Sequence, residues 1–398
     1  MPEPPNPYAS EQTTLRLFQM KSEVVNSWEK GDMVKAFKIT IQSIKLLTNI
    51  ASTTDTATLP QLFLLVTEVL ETFGNLVYSR IKTKAQNSAK ALGSRFPDVF
   101  SHMDVPEEAR LIASNWVSKI SSVRELLPRL LIEVATIRIY LFLAPSHLFS
   151  HYLDRMLRQC RGMGDSMVAL FCRSFICYMG QELCPERVVP LTKLAISDFL
   201  MTFPEHDSQS RLILTHEVLS VVEPLIKCMA FGLSFFDYQS NQKTDVVKSQ
   251  IHDYLISTFE LYNSKRIVSL PVICGLVGSF PPETVNDFLL TFLDYLESNV
   301  SIFPKAFYTP LSATVELSRL LSNFTIFELE SGSKRTSLIG KLINRIWNIA
   351  FQDYDTEDPE LLSVDKLLVA GNLSKFICKF LLNGHPSKAE KFLNILLF

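Results

Sequence analysis

Apolar residues recur at intervals of three and four positions along most of this 398-residue chain. In residues 61–84 they all fall on one helical face, and the positions are Leu62, Leu65, Val66, Val69, Leu70, Phe73, Leu76 and Val77. The same period returns in residues 34–44, 123–137 and 288–296. A period near 3.6 predicts amphipathic helices, whereas a β-strand alternates every second residue, and no such run is present. The sequence therefore predicts an all-α fold.

Short clusters of helix-breaking residues separate the periodic segments, for example at 52–60, 94–106 and 353–359. A helix with its turn then takes about 20 to 25 residues, so that two of them approach the ~40-residue unit of helical-hairpin repeats. A compact bundle is the alternative, but successive helices of similar length without a change in composition favour stacked hairpins. We expect a right-handed, HEAT-like α-solenoid over residues 11–398, after an irregular proline-rich segment at 1–10.

Charge and hydropathy exclude some classes of partner and indicate where in the cell the protein is located. The 39 basic and 41 acidic residues are spread along the chain, without the basic stripe that binding to nucleic acid needs. The most apolar windows, 62–77 and 126–143, contain charged residues and predict no spanning helix. No secretory signal is visible at the start of the chain. These features predict a cytoplasmic protein that reaches membranes only by peripheral recruitment.

The residues that could carry chemistry form no convincing site. His147, His151 and Asp154 could share a helical face and bind a metal, but an amphipathic helix with two histidines near solvent is favoured. The glycines of residues 161–165 lack the third glycine of a dinucleotide cradle and indicate a turn between helices. Four cysteines between residues 160 and 184 lack zinc-knuckle spacing and are interpreted as core residues. The sequence predicts neither catalysis nor a cofactor nor a metal.

Residues 122–133, SVRELLPRLLIE, place a proline inside an apolar helical pattern, where it must kink or restart the helix. Residues 71–81, ETFGNLVYSRI, and residues 161–165, RGMGD, are the other distinctive strings. In their order along the chain and in their separations, the three strings resemble those of the large helical subunit of the endosomal recycling complexes retromer and retriever. Residues 38–47 and 119–126 make the retriever form the closer match, and the resemblance extends over about residues 28–203.

The resemblance implies a non-enzymatic scaffold that works in endosome-to-plasma-membrane recycling of cargo, on the cytoplasmic side of endosomes. It implies an arrestin-fold small subunit as a partner, together with a phosphoesterase-fold small subunit, a sorting nexin cargo adaptor and the coiled-coil components of the Commander assembly. The family's segment for binding the arrestin-fold subunit corresponds here to Pro128, Arg129, Leu130 and Leu131. The alternative for each of these residues is a place in a kinked core helix, with Arg129 paired to a local carboxylate.

Two further expectations concern the chain end and the rival function. An apolar helical face at residues 392–398 has no following helix to cover it, whereas a helical array normally ends in a repeat with a polar outer face. The resemblance implies a longer chain whose C-terminal portion carries the phosphoesterase-fold site, so we expect that continuation to be absent here. The alternative is that a partner, or a second copy of the chain, covers this face. The rival function is another helical-repeat adaptor in transport or protein-complex assembly, which would share the helices but not the three strings.

Overall fold

The computed structural model describes residues 7–51, 59–184, 188–202 and 359–382, with single positions between 225 and 347 and at 390. These parts contain α-helices, short 3₁₀ turns and loops but no strand, so the all-α prediction is confirmed. The helices are α1 Pro7–Glu29, α2 Met33–Ala51, α3 Leu59–Ala91, α4 Glu107–Ser121, α5 Leu126–Ala135, α6 Phe149–Gln159, α7 Ser166–Leu183, α8 Val188–Thr202 and α9 Pro359–Leu382.

The chain divides into two compact units. The first combines Met1–His206 with Leu214–Leu233 and contains α1 to α8, and the second combines Asp207–Ile213 with Ser234–Phe398 and contains α9. A single solenoid over residues 11–398 stays a prediction. The helix predicted at 288–296 and the apolar face predicted at 392–398 lie outside the described residues.

Helices of the first unit pack mainly on their neighbours in sequence. Helix α1 contacts α2 and α3, α3 contacts α4 and α5, α5 contacts α6 and α7, and α8 contacts α6 and α7. Helix α2 also contacts α5 and α7. Contacts between each helix and the next two are those of stacked helical hairpins.

Helix α3 is the core helix of this unit, and it contacts α1, α2, α4 and α5. Four aromatic rings meet at its middle, one from each of the first four helices: Trp28, Phe37, Phe73 and Trp116. The centroids of Phe73 and Trp116 lie 5.7 Å apart at an interplanar angle of 80°. Such edge-to-face pairs contribute about 0.5–1.5 kcal/mol beyond the area that they bury.

By length and composition alone, α3 is also the one helix among the described residues that could cross a membrane. In the structure, 44% of its most apolar window is buried against other parts of the chain. Burial against four neighbouring helices is the usual position of a core helix, which is rich in apolar residues for that reason.

Prolines mark the starts of several helices. Pro7 opens α1, and Pro60, Pro128 and Pro190 lie in the first turns of α3, α5 and α8. The first N–H groups of a helix have no acceptor within it, so a proline in the first turn costs no hydrogen bond. This preference also explains why α1 begins at Pro7, inside the segment at 1–10 that was expected to be irregular.

Pro128 accordingly restarts a helix and does not kink one. Helix α4 ends at Ser121, and α5 begins at Leu126 after a short break. Of the two outcomes that the sequence left open, the structure shows the restart.

Gly74 allows α3 and α5 to approach each other closely. A Cβ atom at position 74 would overlap the carbonyl oxygen of Ala135, at the C-terminal end of α5. Backbone cannot yield as a flexible side chain can, so only glycine fits here. This contact gives a physical reason for the glycine in the string at 71–81.

We therefore expect Gly74→Ala to destabilise the chain by about 1–3 kcal/mol, because α3 and α5 must separate to admit the methyl group. Helix propensity alone predicts the opposite, a gain of up to about 1 kcal/mol for alanine in a helix interior. Urea unfolding followed by circular dichroism measures the sign. Gly164→Ala is the control, since a Cβ atom there meets nothing within 4 Å.

Candidate partner-binding site

The four residues predicted to bind a partner lie in the first two turns of α5, and the structure gives them different environments. Pro128 is buried, and Leu130 and Leu131 are completely buried, with 0% of their surface exposed. Arg129 is half-buried. Three of the four side chains are thus core residues of the first unit, and Arg129 is the one of the four with substantial accessible surface.

The expected alternative for Arg129, a pair with a local carboxylate, does not occur. The carboxylates one turn away are those of Glu125, just before α5, and of Glu133 on α5. Glu125 accepts a hydrogen bond from Lys45 Nζ of α2 at 2.5 Å, and Glu133 is engaged by α6. In the described part of the chain, the Arg129 guanidinium makes no hydrogen bond or ion pair.

Glu133 is a buried carboxylate that connects α5 to α6. Its Oε1 atom accepts a hydrogen bond from the Tyr140 hydroxyl at 2.9 Å and pairs with the guanidinium of Arg155. The Tyr140 ring stacks on Tyr152 at 4.2 Å. Burial, and next the Glu133 charge, raise the pKa of Tyr140, so the hydroxyl stays a hydrogen-bond donor.

The string at 161–165 forms the connection between α6 and α7, as the sequence predicted. Arg161 donates two hydrogen bonds to Asp198 of α8, from Nε at 3.0 Å and from Nη2 at 2.6 Å. The Asp165 carboxylate caps α7 by accepting from the N–H groups of Met167 and Val168, each at 2.9 Å. This string therefore positions α6, α7 and α8 relative to one another.

The string at 71–81 takes part in a second polar connection, centred on Arg138. The guanidinium of Arg138 donates to Asn75 Oδ1 at 3.0 Å and pairs with Glu182 of α7. It also lies over the Tyr78 ring, 5.7 Å from the centroid. Sequence reasoning did not identify Glu133 or Arg138 as structural residues, although charges inside an apolar window are the signal that could have found them.

The histidine pair lies at the start of α6, where His147 and His151 are both exposed. Within the described residues, no three histidine, cysteine, aspartate or glutamate side chains could together hold a metal ion. His151 lines a surface cleft with Asp154, Arg155, Arg158 and Gln159.

Four cysteines, Cys160, Cys172, Cys177 and Cys184, are free and buried, which confirms their interpretation as core residues. Burial raises the pKa of the Cys172 and Cys177 thiols well above the ordinary value. These thiols are consequently poor nucleophiles at neutral pH.

Stacked hairpins held together by polar side chains define an α-helical solenoid protein. The family model for VPS35L matches residues 8–221, which is more than half of the chain. The chain belongs to the VPS35L family, and the resemblance seen in the sequence is confirmed.

Curated relatives agree with this assignment. The VPS35 endosomal protein-sorting factor-like protein of Rattus norvegicus is 36% identical over 193 residues, which cover 48% of this chain and 19% of the relative. The Dictyostelium discoideum protein of the same name is 27% identical over 352 residues, covering 83% of this chain and 31% of the relative. The chain therefore spans between about a fifth and a third of the length of these relatives.

The burial pattern in α5 predicts that two alanine variants differ clearly in their free energy of unfolding. Leu130→Ala should cost about 2–5 kcal/mol, because it empties a fully buried site. Arg129→Ala should change stability by less than about 0.5 kcal/mol, since the guanidinium makes no bond within the described chain. Urea midpoints of both purified variants test this, and a large loss for Arg129→Ala would indicate a structural role for the arginine.

Proposed function

We propose that this chain is a non-enzymatic scaffold in endosomal protein sorting and that it holds an arrestin-fold small subunit at the start of α5. The observation that carries the proposal is Arg129, an accessible cation without a partner among the described residues, on a helix whose remaining surface is largely core. Family membership and the names of the relatives support the endosomal role. They also favour this function over a different helical-repeat adaptor.

Within this proposal, the four residues of the segment have two kinds of role. Arg129 contacts the small subunit directly, and the guanidinium is suited to a carboxylate or to carbonyl oxygens of the partner. Pro128, Leu130 and Leu131 contribute indirectly, because they fix the start of α5 and therefore the position of Arg129. Substitutions of the leucines would weaken the complex through folding and not through lost contacts.

The wider assembly follows from the same family assignment and belongs to the proposal. The scaffold would act on the cytoplasmic face of endosomes and support recycling to the plasma membrane. Its further partners would be a phosphoesterase-fold small subunit, a sorting nexin cargo adaptor and coiled-coil Commander components. Membrane attachment would be peripheral and would come from these partners.

We expect Arg129→Glu to weaken binding of the purified arrestin-fold subunit by about 2–5 kcal/mol, or some 30-fold to several thousand-fold, because it puts the wrong charge into a desolvated contact. Isothermal titration measures the affinity. Arg80→Glu is the matched control, since it makes the same charge change at an exposed position of α3.

The control variant should bind like the natural chain, and both variants should keep its melting temperature. Undiminished affinity of Arg129→Glu would remove the assignment of this residue to the interface. A lowered melting temperature of Arg129→Glu would instead support a core role.

A further inference from the structure

The exposed face of α6 forms a surface cleft with a volume of about 350 Å³. Among the described residues, five line it: His151, Asp154, Arg155, Arg158 and Gln159. The first four follow the spacing of a single helical face, so their side chains project from neighbouring turns on the same side. The proposed scaffold function makes no use of this cleft.

The polar groups of the cleft are only partly used within the chain. Arg155 pairs with Glu133, but in the described part of the chain the exposed Arg158 and the half-buried Asp154 form no ion pair. The Oε1 atom of Gln159 has no hydrogen-bond partner among the described residues, but it is buried and out of reach of a ligand. The cleft thus offers a guanidinium as a donor and a carboxylate as an acceptor, both without partners from the described residues.

Two contacts define how α5 and α6 run past each other. Near the end of α5, Glu133 pairs with Arg155 of α6. At the start of α5, a Leu126 methyl group lies 3.2 Å from the Cβ position of Gly162, just beyond the end of α6. The start of one helix therefore meets the end of the other, and the two helices are antiparallel.

This register brings Arg129 to the side of the cleft. Arg129 precedes Glu133 by one helical turn, and Arg158 follows Arg155 by nearly one turn, in the same direction along the antiparallel pair. One turn advances about 5.4 Å, so the register puts both residues on the same side of the Glu133–Arg155 pair, each about one turn from it. Of these two cations without partners in the described chain, Arg158 lines the cleft and Arg129 lies outside its lining.

The chemistry of the cleft selects the kind of ligand. Guanidinium groups form bidentate hydrogen bonds with carboxylates, and two of them on the same side of one ion pair can bind two acidic side chains. The Asp154 carboxylate repels a phosphate dianion, but it accepts hydrogen bonds from peptide N–H groups. The site has guanidiniums that donate to carboxylates, next to a carboxylate that accepts from N–H groups. This combination fits an acidic peptide better than a phosphate.

We propose that the α6 cleft, together with Arg129, binds a partner-protein segment that carries two acidic side chains. Arg158 and Arg129 bind the carboxylates, and Asp154 accepts from the backbone of the segment. The site does not depend on the identity of the small subunit proposed above. A shared arginine makes it continuous with that interface.

The test uses the full chain and a fluorescein-labelled six-residue peptide of alternating glutamate and serine, titrated by fluorescence anisotropy at 50 mM salt. Arg158→Glu should lower the affinity at least tenfold and Arg158→Gln about threefold, whereas Arg80→Glu should stay within about twofold of the natural chain. The same peptide with glutamine in place of glutamate should bind at least tenfold more weakly. Raising the salt to 200 mM should weaken binding of the acidic peptide.

Unchanged binding by Arg158→Glu would overturn the proposal. So would displacement of the peptide by an equal concentration of inorganic phosphate at constant ionic strength, which would indicate a phosphate site. The peptide titration contains no small subunit, so its failure is distinguishable from failure of the proposed scaffold function. Arg158 is exposed, and its variants should melt within about 2 °C of the natural chain.

Discussion

The approach of Gly74 to the Ala135 carbonyl is the contact on which the rest of the site depends. It lets α5 rest directly on the core helix α3, and the restart at Pro128 then determines where α5 begins. With both ends of α5 fixed, Glu133 can reach Arg155 and Leu126 can reach the turn after α6. The position of Arg129 follows from these contacts, although its own side chain bonds to none of them.

Polar connections between the helices specify register more than they add stability. Arg155 and Arg161 are about half exposed, and ion pairs with one member in water contribute little. Their partners Glu133 and Asp198 are nearly inaccessible, so each buried carboxylate would be costly without its arginine. A shift of α6 or α8 by one residue would break these pairs. These pairs therefore destabilise a shifted packing of the helices more than they stabilise the observed one.

The sequence predicted the parts of this structure that depend on local pattern. The helical period predicts α3, the proline at 128 predicts either a kink or a restart of the helix, and the glycines of 161–165 predict a turn. The period of residues 123–137 also puts Leu130 and Leu131 on an apolar face, but it could not predict that Arg129 keeps accessible surface without a local carboxylate partner. Nor could it predict the Arg138 connection, whose members come from α3, α7 and the 3₁₀ turn at Ile137–Phe142. Such contacts depend on tertiary packing, which the period alone does not encode.

The separation of the three strings in sequence has a physical meaning. Each supplies part of the packing around α5. The string at 71–81 lets α5 approach α3 at Gly74, the string at 122–133 forms most of α5 itself, and the string at 161–165 packs against Leu126. The strings consequently constrain one another, since a change in any of them alters where α5 lies. A helix held on both sides in this way leaves little surface for a partner. Arg129 keeps accessible surface on this helix, one turn before the Glu133 that pairs with Arg155 of α6, so we expect a partner that binds Arg129 to reach α6 as well.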